Sequence, residues 1–205
     1  MPEGPEVKTT VDFLKKYQNK SLTHFQVVSG RYTKKPIHNI NNPGWNTPLN
    51  LESVDCKGKF IYFSFTGGVH ILNSHVDAEL FKVRLNKKPN WTIARALMDQ
   101  SVVSGVGNYL KAEILYAAKI SPHRLCKDLA VKEIELIAQE SFDITRLSYN
   151  SGATIKNYRK PNGKKGLYSQ RFAVYNQKTS PCGNEVIKEQ TLDKRTTHWV
   201  PSVQK

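Results

Sequence analysis

The sequence predicts an α+β protein, and three observations carry that prediction. Apolar residues recur at helical spacing at the start of the chain, short β-like runs follow, and a helical period returns after "LNKKPN". A glycine- and lysine-rich stretch then leads into strand-like pieces again. We read a small α+β part over 1–86, a helical module over 87–155 and a basic, β-rich segment over 156–205. At 205 residues the chain is long enough for one large domain or two small ones, and 39% hydrophobic residues exclude a disordered protein.

The first element is an amphipathic helix from about Pro5 to Tyr17, since Val7, Val11, Leu14 and Tyr17 share one face. Pro5 suits the first turn of that helix, where a missing N–H does no harm. Four β-like runs follow: "LTHFQVVSG", "LESVDC", "FIYFSF" and "VHILNS". The Pro- and Asn-rich "PIHNINNPGWNTP" between the first two reads as a long loop. "WTIARALMDQ", "NYLKAEILYAAK" and "AVKEIELIAQESFDITRLS" read as three successive helices. Strand-like pieces near the C-terminus flank "TLDKRT", a tight polar tip. The chain contains no internal repeat.

Charge narrows the partner. The excess of 31 Lys and Arg over 17 Asp and Glu, a net of +14, points to a polyanion, either nucleic acid or an acidic membrane surface. From Ser151 to Lys205 there are 11 basic residues against 3 acidic ones, with Tyr158, Tyr168, Phe172, Tyr175 and Trp199 interleaved. Such interleaving argues against a plain solvated tail, and no basic amphipathic helix supports a membrane-surface role. Cys56, Cys126 and Cys182 lie far apart with no Cys-x-x-Cys pair, which makes a disulfide framework and a cysteine-based zinc site poor readings. With no membrane-length apolar run and a polar start, a soluble intracellular protein is expected.

Four segments carry candidate chemistry. In "MPEGPEV", removal of Met1 would leave Pro2 with a secondary α-amine, whose pKa of about 8 leaves much of it unprotonated near neutrality. Such an amine attacks an aldehyde-like carbon to give an iminium. Glu3 could donate a proton, with Glu6 one helical turn further on. The same carboxylates also read as an ordinary acidic helix start. In "SVVSGVGNYLKAE", two glycines precede a helix beginning at Asn108, leaving backbone N–H groups free to bind a phosphate. Asn108 reads equally well as the cap of that helix, and Lys111 and Glu113 as surface or buttressing residues. "TLDKRT" presents Lys194 and Arg195 as a surface turn or as a grip on phosphate. In "DCKGKF", Lys57 and Lys59 straddle a glycine before a strand and suit phosphate contact or plain solvation.

Taken together and in order, these segments resemble the formamidopyrimidine-DNA glycosylase / endonuclease VIII family of base-excision repair enzymes. "PEGPEV" resembles the family N-terminus, "KGKF" its lysine segment, and "LMDQSVVSGVGNYLKAEILYAAKISPHR" its helix–two-turn–helix motif. "GATIKNYRKPNGKKGLYSQRFAVYNQKTSPCG" resembles the stretch entering the C-terminal finger, and "KRTTHWVPSVQ" the finger's closing hairpin. The resemblance implies a bifunctional glycosylase and abasic-site lyase acting on oxidised bases or abasic sites in duplex or single-stranded DNA. Pro2 would attack C1′, Glu3 would act as general acid near the ring oxygen, and Glu6 would organise the lesion site. Lys59, Asn108 and Arg195 would grip phosphates around a flipped nucleotide, and β- and δ-elimination would nick the strand.

Two departures shape these expectations. The family finger holds zinc through four cysteines, whereas only Cys182 is present here, with Trp199 and Val200 near where others would stand. The segment therefore resembles the zincless-finger subgroup, and no metal or cofactor is expected. After "VHILNSHV" the chain passes almost directly to the helical module, so the resemblance implies a reduced N-terminal β-sandwich lacking the residues that fill the gap left by a flipped base. A monomer is expected, with exposed sheet edges offering a route to dimers. The shortening also motivates a second reading, a non-catalytic or weakly catalytic DNA-binding protein that keeps the helix–two-turn–helix and the hairpin.

Overall fold

The computed structural model describes residues 3–24, 48–66, 78–154, 166–192 and 194–205. The elements in order are α1 (Gly4–Leu14), β1 (Ser21–Leu22), β2 (Leu49–Lys57), β3 (Phe60–Phe65), α2 (Ala78–Asn86), α3 (Ile93–Met98), α4 (Asn108–Ala117), α5 (Val131–Asn150), β4 (Ile187–Gln190) and β5 (Thr196–Trp199). Several readings lie outside the described residues: Pro2, the later part of "LTHFQVVSG", the long Pro/Asn loop, "VHILNS" and most of the Gly/Lys-rich loop.

Among the described residues, the N-terminal part forms a three-stranded antiparallel sheet, β1–β2–β3, with α1 packed on it. Leu49 and Leu51 face inward at the strand period, then a bulge between Leu51 and Ser53 shifts the register by one residue. The shift brings Val54 inward where Ser53 would otherwise point. Val11 of α1 packs on Leu49, Leu51, Val54 and Phe65 to form a small core. Glu6 caps α1 by accepting the backbone N–H of Glu3 at 2.9 Å.

The helical module holds the larger core. Ile93 and Leu97 of α3, Leu110 and Ile114 of α4, and Ile137 of α5 are each fully buried in it. Phe81 and Leu85 of α2 pack into the same core, so this helix joins the helical module by its contacts although it precedes residue 87. Thr92 caps α3, its hydroxyl accepting from the N–H of Arg95, and the Lys88 ammonium and the Arg95 guanidinium both lie over the Trp91 ring. That cap explains why the helix starts at Ile93 rather than at Trp91. Asp99 then closes the first turn after α3 by accepting from the backbone and hydroxyl of Ser101.

The C-terminal segment forms the antiparallel β4–β5 hairpin. Val174, Val186 and Val200 pack with Ala112 of α4 in a third cluster that docks the hairpin on the helical module. Gln204 locks the end of the chain: its oxygen accepts from Val200 N–H at 2.8 Å, and its amide donates to the Ile120 carbonyl at 2.9 Å. The hairpin is therefore held by apolar packing and by a buried amide. None of the described helices is long and apolar enough to cross a membrane.

Candidate active site

Three glycines bring the parts of the site together. The Gly4 N–H donates to the Gly105 carbonyl at 2.9 Å, and Gly105 itself lies against both Gly4 and Gly58. Gly58 sits at φ +55°, and a Cβ there would fall 2.7 Å from the Gly105 nitrogen and from the Ser104 side chain. The β2–β3 turn can thus press against the loop entering α4, which delivers Lys59 to the start of that helix.

Glu3 is the centre of the arrangement. Its carboxylate accepts backbone N–H groups from Gly107 at 3.1 Å, Tyr109 at 3.1 Å and Leu110 at 3.2 Å. It caps α4 from more than one hundred residues away, where the macrodipole favours a negative charge. The N–H groups of Gly107, Tyr109 and Leu110 at the start of α4 therefore bind a carboxylate and are not free for a phosphate. Asn108 is likewise no cap: Gly107 occupies the N-cap position, and the Asn108 amide donates to the Thr196 carbonyl of β5 at 2.7 Å.

Burial pushes the Glu3 carboxyl up to about 7, with the neighbouring Glu6 adding to the rise and the backbone donors and Lys59 opposing it. Lys59 donates to the Val106 carbonyl at 2.8 Å, and its burial holds the ammonium below the ordinary lysine range. The charge of Glu3 opposes that fall, and Arg195 adds to it. These groups face a cavity of about 540 Å³, lined by Glu3, Lys59, Asn108 and Arg195 together with Phe172, Tyr175 and Gln177. Among the expected site residues, Glu3, Lys59, Asn108 and Arg195 converge on this cavity. Lys57 lines a different hollow, between α1 and α5.

Glu6 does not line the cavity. It is buried behind it, where it accepts the N–H of Thr154 at 2.9 Å and the hydroxyl of Tyr109 at 3.3 Å. Tyr109 is itself bonded to Ser148 at 3.1 Å, and burial together with the Glu6 and Glu3 charges drives its phenol far above the ordinary range. Glu6 thus joins α1, α4 and the end of α5 beneath Glu3.

Two structural supports were not legible as site residues. Glu113 is buried and accepts three successive backbone N–H groups, from Ala173 at 2.8 Å, Val174 at 3.0 Å and Tyr175 at 2.8 Å. It thereby fixes a segment that lines the cavity, and burial raises its carboxyl above the usual range. The buttressing option for Glu113 is the one the contacts support. Tyr109 offered no sequence signal beyond its place in an apolar helix face. Among the described residues no group of three or more His, Cys, Asp or Glu side chains is placed to hold a metal ion.

A helix–two-turn–helix core, a carboxylate capping its second helix from near the chain start, and a hairpin docked beside both together define a helix–two-turn–helix protein with a cavity at the start of that helix. Residues 68–159 match the formamidopyrimidine-DNA glycosylase H2TH domain, and residues 168–205 match the formamidopyrimidine-DNA glycosylase C-terminal domain. The chain belongs to the formamidopyrimidine-DNA glycosylase family. The Ureaplasma parvum serovar 3 formamidopyrimidine-DNA glycosylase is 38% identical over 136 residues, which are 65% of this chain and 49% of the relative. The Neisseria meningitidis enzyme is 38% identical over 60% of this chain and 46% of its own length. The chain thus spans about half the length of the relatives it matches at this level. The Wolbachia pipientis wMel enzyme is 27% identical along the whole of both chains. In fold, the chain superposes on the MutM (Fpg) protein from Thermus thermophilus with a TM-score of 0.79, at 21% identity and over 99% of this chain and 98% of that one. The Lactococcus lactis Fpg, solved as a complex with DNA containing an abasic site, gives 0.79 at 19% identity over 99% of each chain.

Proposed function

We propose that this protein is a DNA glycosylase and abasic-site lyase of base-excision repair, working through the Pro2 nitrogen. The observation that carries the reading is Glu3. A carboxyl with a pKa of about 7 faces a cavity edged by Lys59, Asn108 and Arg195, and Pro2 is bonded directly to it in the chain.

With Met1 removed, the Pro2 amine attacks C1′ of a nucleotide turned out of the duplex, the C1′–base bond breaks with its electron pair leaving on the base, and the proton given up by the amine nitrogen passes to the departing base. Protonated Glu3 delivers its proton to the deoxyribose ring oxygen, the ring opens, and the nitrogen lone pair forms the C1′ iminium. Loss of a C2′ proton then expels the 3′ phosphate, and a second elimination expels the 5′ phosphate. At an existing abasic site the amine condenses with the aldehyde and water leaves, so the elimination steps alone are required. Lys59 and Arg195 offer cationic contacts to the flanking phosphates.

Borohydride trapping on abasic DNA tests this reading. Wild-type protein is expected to form a covalent adduct, and Pro2→Gly to lose most of it. An undiminished adduct after Pro2→Gly removes the terminal amine from the mechanism. Equal binding of damaged and undamaged duplex without any strand cleavage favours the non-catalytic DNA-binding reading.

A further inference from the structure

In the β4–β5 tip, four hydrogen bonds tie Gln190 and Thr191 to Lys194 and Arg195. The Arg195 carbonyl accepts from the Thr191 N–H at 3.0 Å and from the Thr191 hydroxyl at 3.0 Å. The Lys194 N–H donates to the Thr191 carbonyl at 2.8 Å, and the Gln190 amide donates to the Lys194 carbonyl at 3.3 Å. Lys194 is held at φ +58°, a conformation that a side-chain-bearing residue adopts only when its surroundings impose it.

On this tip stands Leu192, whose exposure of 78% exceeds that of every other exposed large apolar side chain among the described residues, Phe142 being next at 61%. A leucine so placed adds nothing to the hairpin core, which is built from Val174, Val186 and Val200. Lys194 lies two residues away from it, and Arg195, three residues away, reaches the cavity. An apolar side chain projecting beside Lys194 and Arg195 fits one surface better than open water: a base stack whose phosphates flank it. Apolar wedges of this kind partly unstack a duplex, and neighbouring basic residues offset the cost through the phosphates.

We propose that Leu192 is a duplex-reading wedge, inserted into the base stack of double-stranded DNA beside the nucleotide held in the cavity. The proposal rests on the reading of the partner as damaged DNA, and it assigns the hairpin tip a role in filling or opening the stack. In the resemblance, residues of the N-terminal part carry that role.

The experiment compares wild type, Leu192→Ala and Leu192→Phe on DNA with an uncleavable tetrahydrofuran site and 2-aminopurine in the opposite strand. Wild type and Leu192→Phe are expected to raise the 2-aminopurine emission on binding, as an unstacked base does. Leu192→Ala is expected to lose that rise and to bind the duplex about ten- to a hundredfold more weakly, the range that burying one leucine side chain is worth. The ratio of borohydride trapping on duplex to trapping on single-stranded abasic DNA falls with it. Thermal midpoints of the three proteins coincide, because the side chain is solvated in the free protein. An alanine variant that matches wild type in emission and duplex affinity overturns the wedge. So does a loss that is equal on duplex and single-stranded DNA, since it places the tip on phosphate alone. The uncleavable site needs no chemistry, so the wedge is decided even if trapping shows that Pro2 is not the nucleophile.

Discussion

Glu3 concentrates the physical interest of the site at the residue scale. Three backbone donors favour its charged form, yet burial outweighs them and holds it near neutrality, where a general acid is most useful. The sign of the consequence follows from the shift. Between the ordinary value of 4.5 and about 7, the folded protein holds a proton that the unfolded chain has released, so this group's contribution to stability is present at low pH and is lost as pH rises through that window. Under the proposed mechanism, catalysis by the protonated form falls over the same upper limb. With the Pro2 amine needed unprotonated and Glu3 protonated, base-release rates measured across pH 5 to 9 are therefore expected to peak between about 7 and about 8 and to fall on the alkaline side in wild type. Glu3→Gln is expected to be slower by about a hundredfold or more and to lack that limb. A variant that keeps the limb assigns it to another group.

At the scale of elements, the start of α4 shows how a motif reads differently in sequence and in space. The glycines of "SGVGNYL" suggested an open anion site, but a Cβ on Gly107 would meet the Glu3 carboxyl at 2.3 Å. The missing side chain there makes room for a carboxylate of the same chain, and Glu3 takes the N–H groups of Gly107, Tyr109 and Leu110. Gly107→Ala must displace Glu3 and uncouple α1 from α4. The expected cost is about 1–3 kcal/mol in urea unfolding, the range for leaving buried hydrogen-bonding groups unmatched, with loss of trapping. Full stability with intact trapping would mean that Glu3 can reach the helix start by another route. Asn108 illustrates the same point, since its amide is tied to the hairpin through Thr196 and so couples helix and finger.

For the whole molecule, the docking of the hairpin on α4 decides how the C-terminal segment is held. Val174, Val186 and Val200 on Ala112, the three N–H groups gathered by Glu113 and the Gln204 lock together fix the hairpin against α4. The expected outcome of chelation follows from that packing: treatment with excess EDTA leaves the thermal midpoint and the trapping yield unchanged, and elemental analysis finds less than one zinc per chain. Stoichiometric zinc, with activity lost on its removal, would refute it.

Much of this was written locally. The helical period of Val7 and Val11, the strands of "LESVDC" and "FIYFSF", the three helices and the tight turn at "TLDKRT" are set by side-chain spacing and turn chemistry, so the sequence alone determined them. The net charge and the pairing of Pro2 with Glu3 and Glu6 were equally plain. Only the tertiary structure decided what those groups face. Glu3 caps a helix that begins 105 residues later, Glu6 lies behind the cavity and not in it, and Glu113 holds a wall that no pattern around it announces. The bulge that turns Val54 inward belongs to the same class. The reason is physical: periodicity reports which face of an element is apolar, whereas the partner of a buried carboxylate depends on the path of the chain through space.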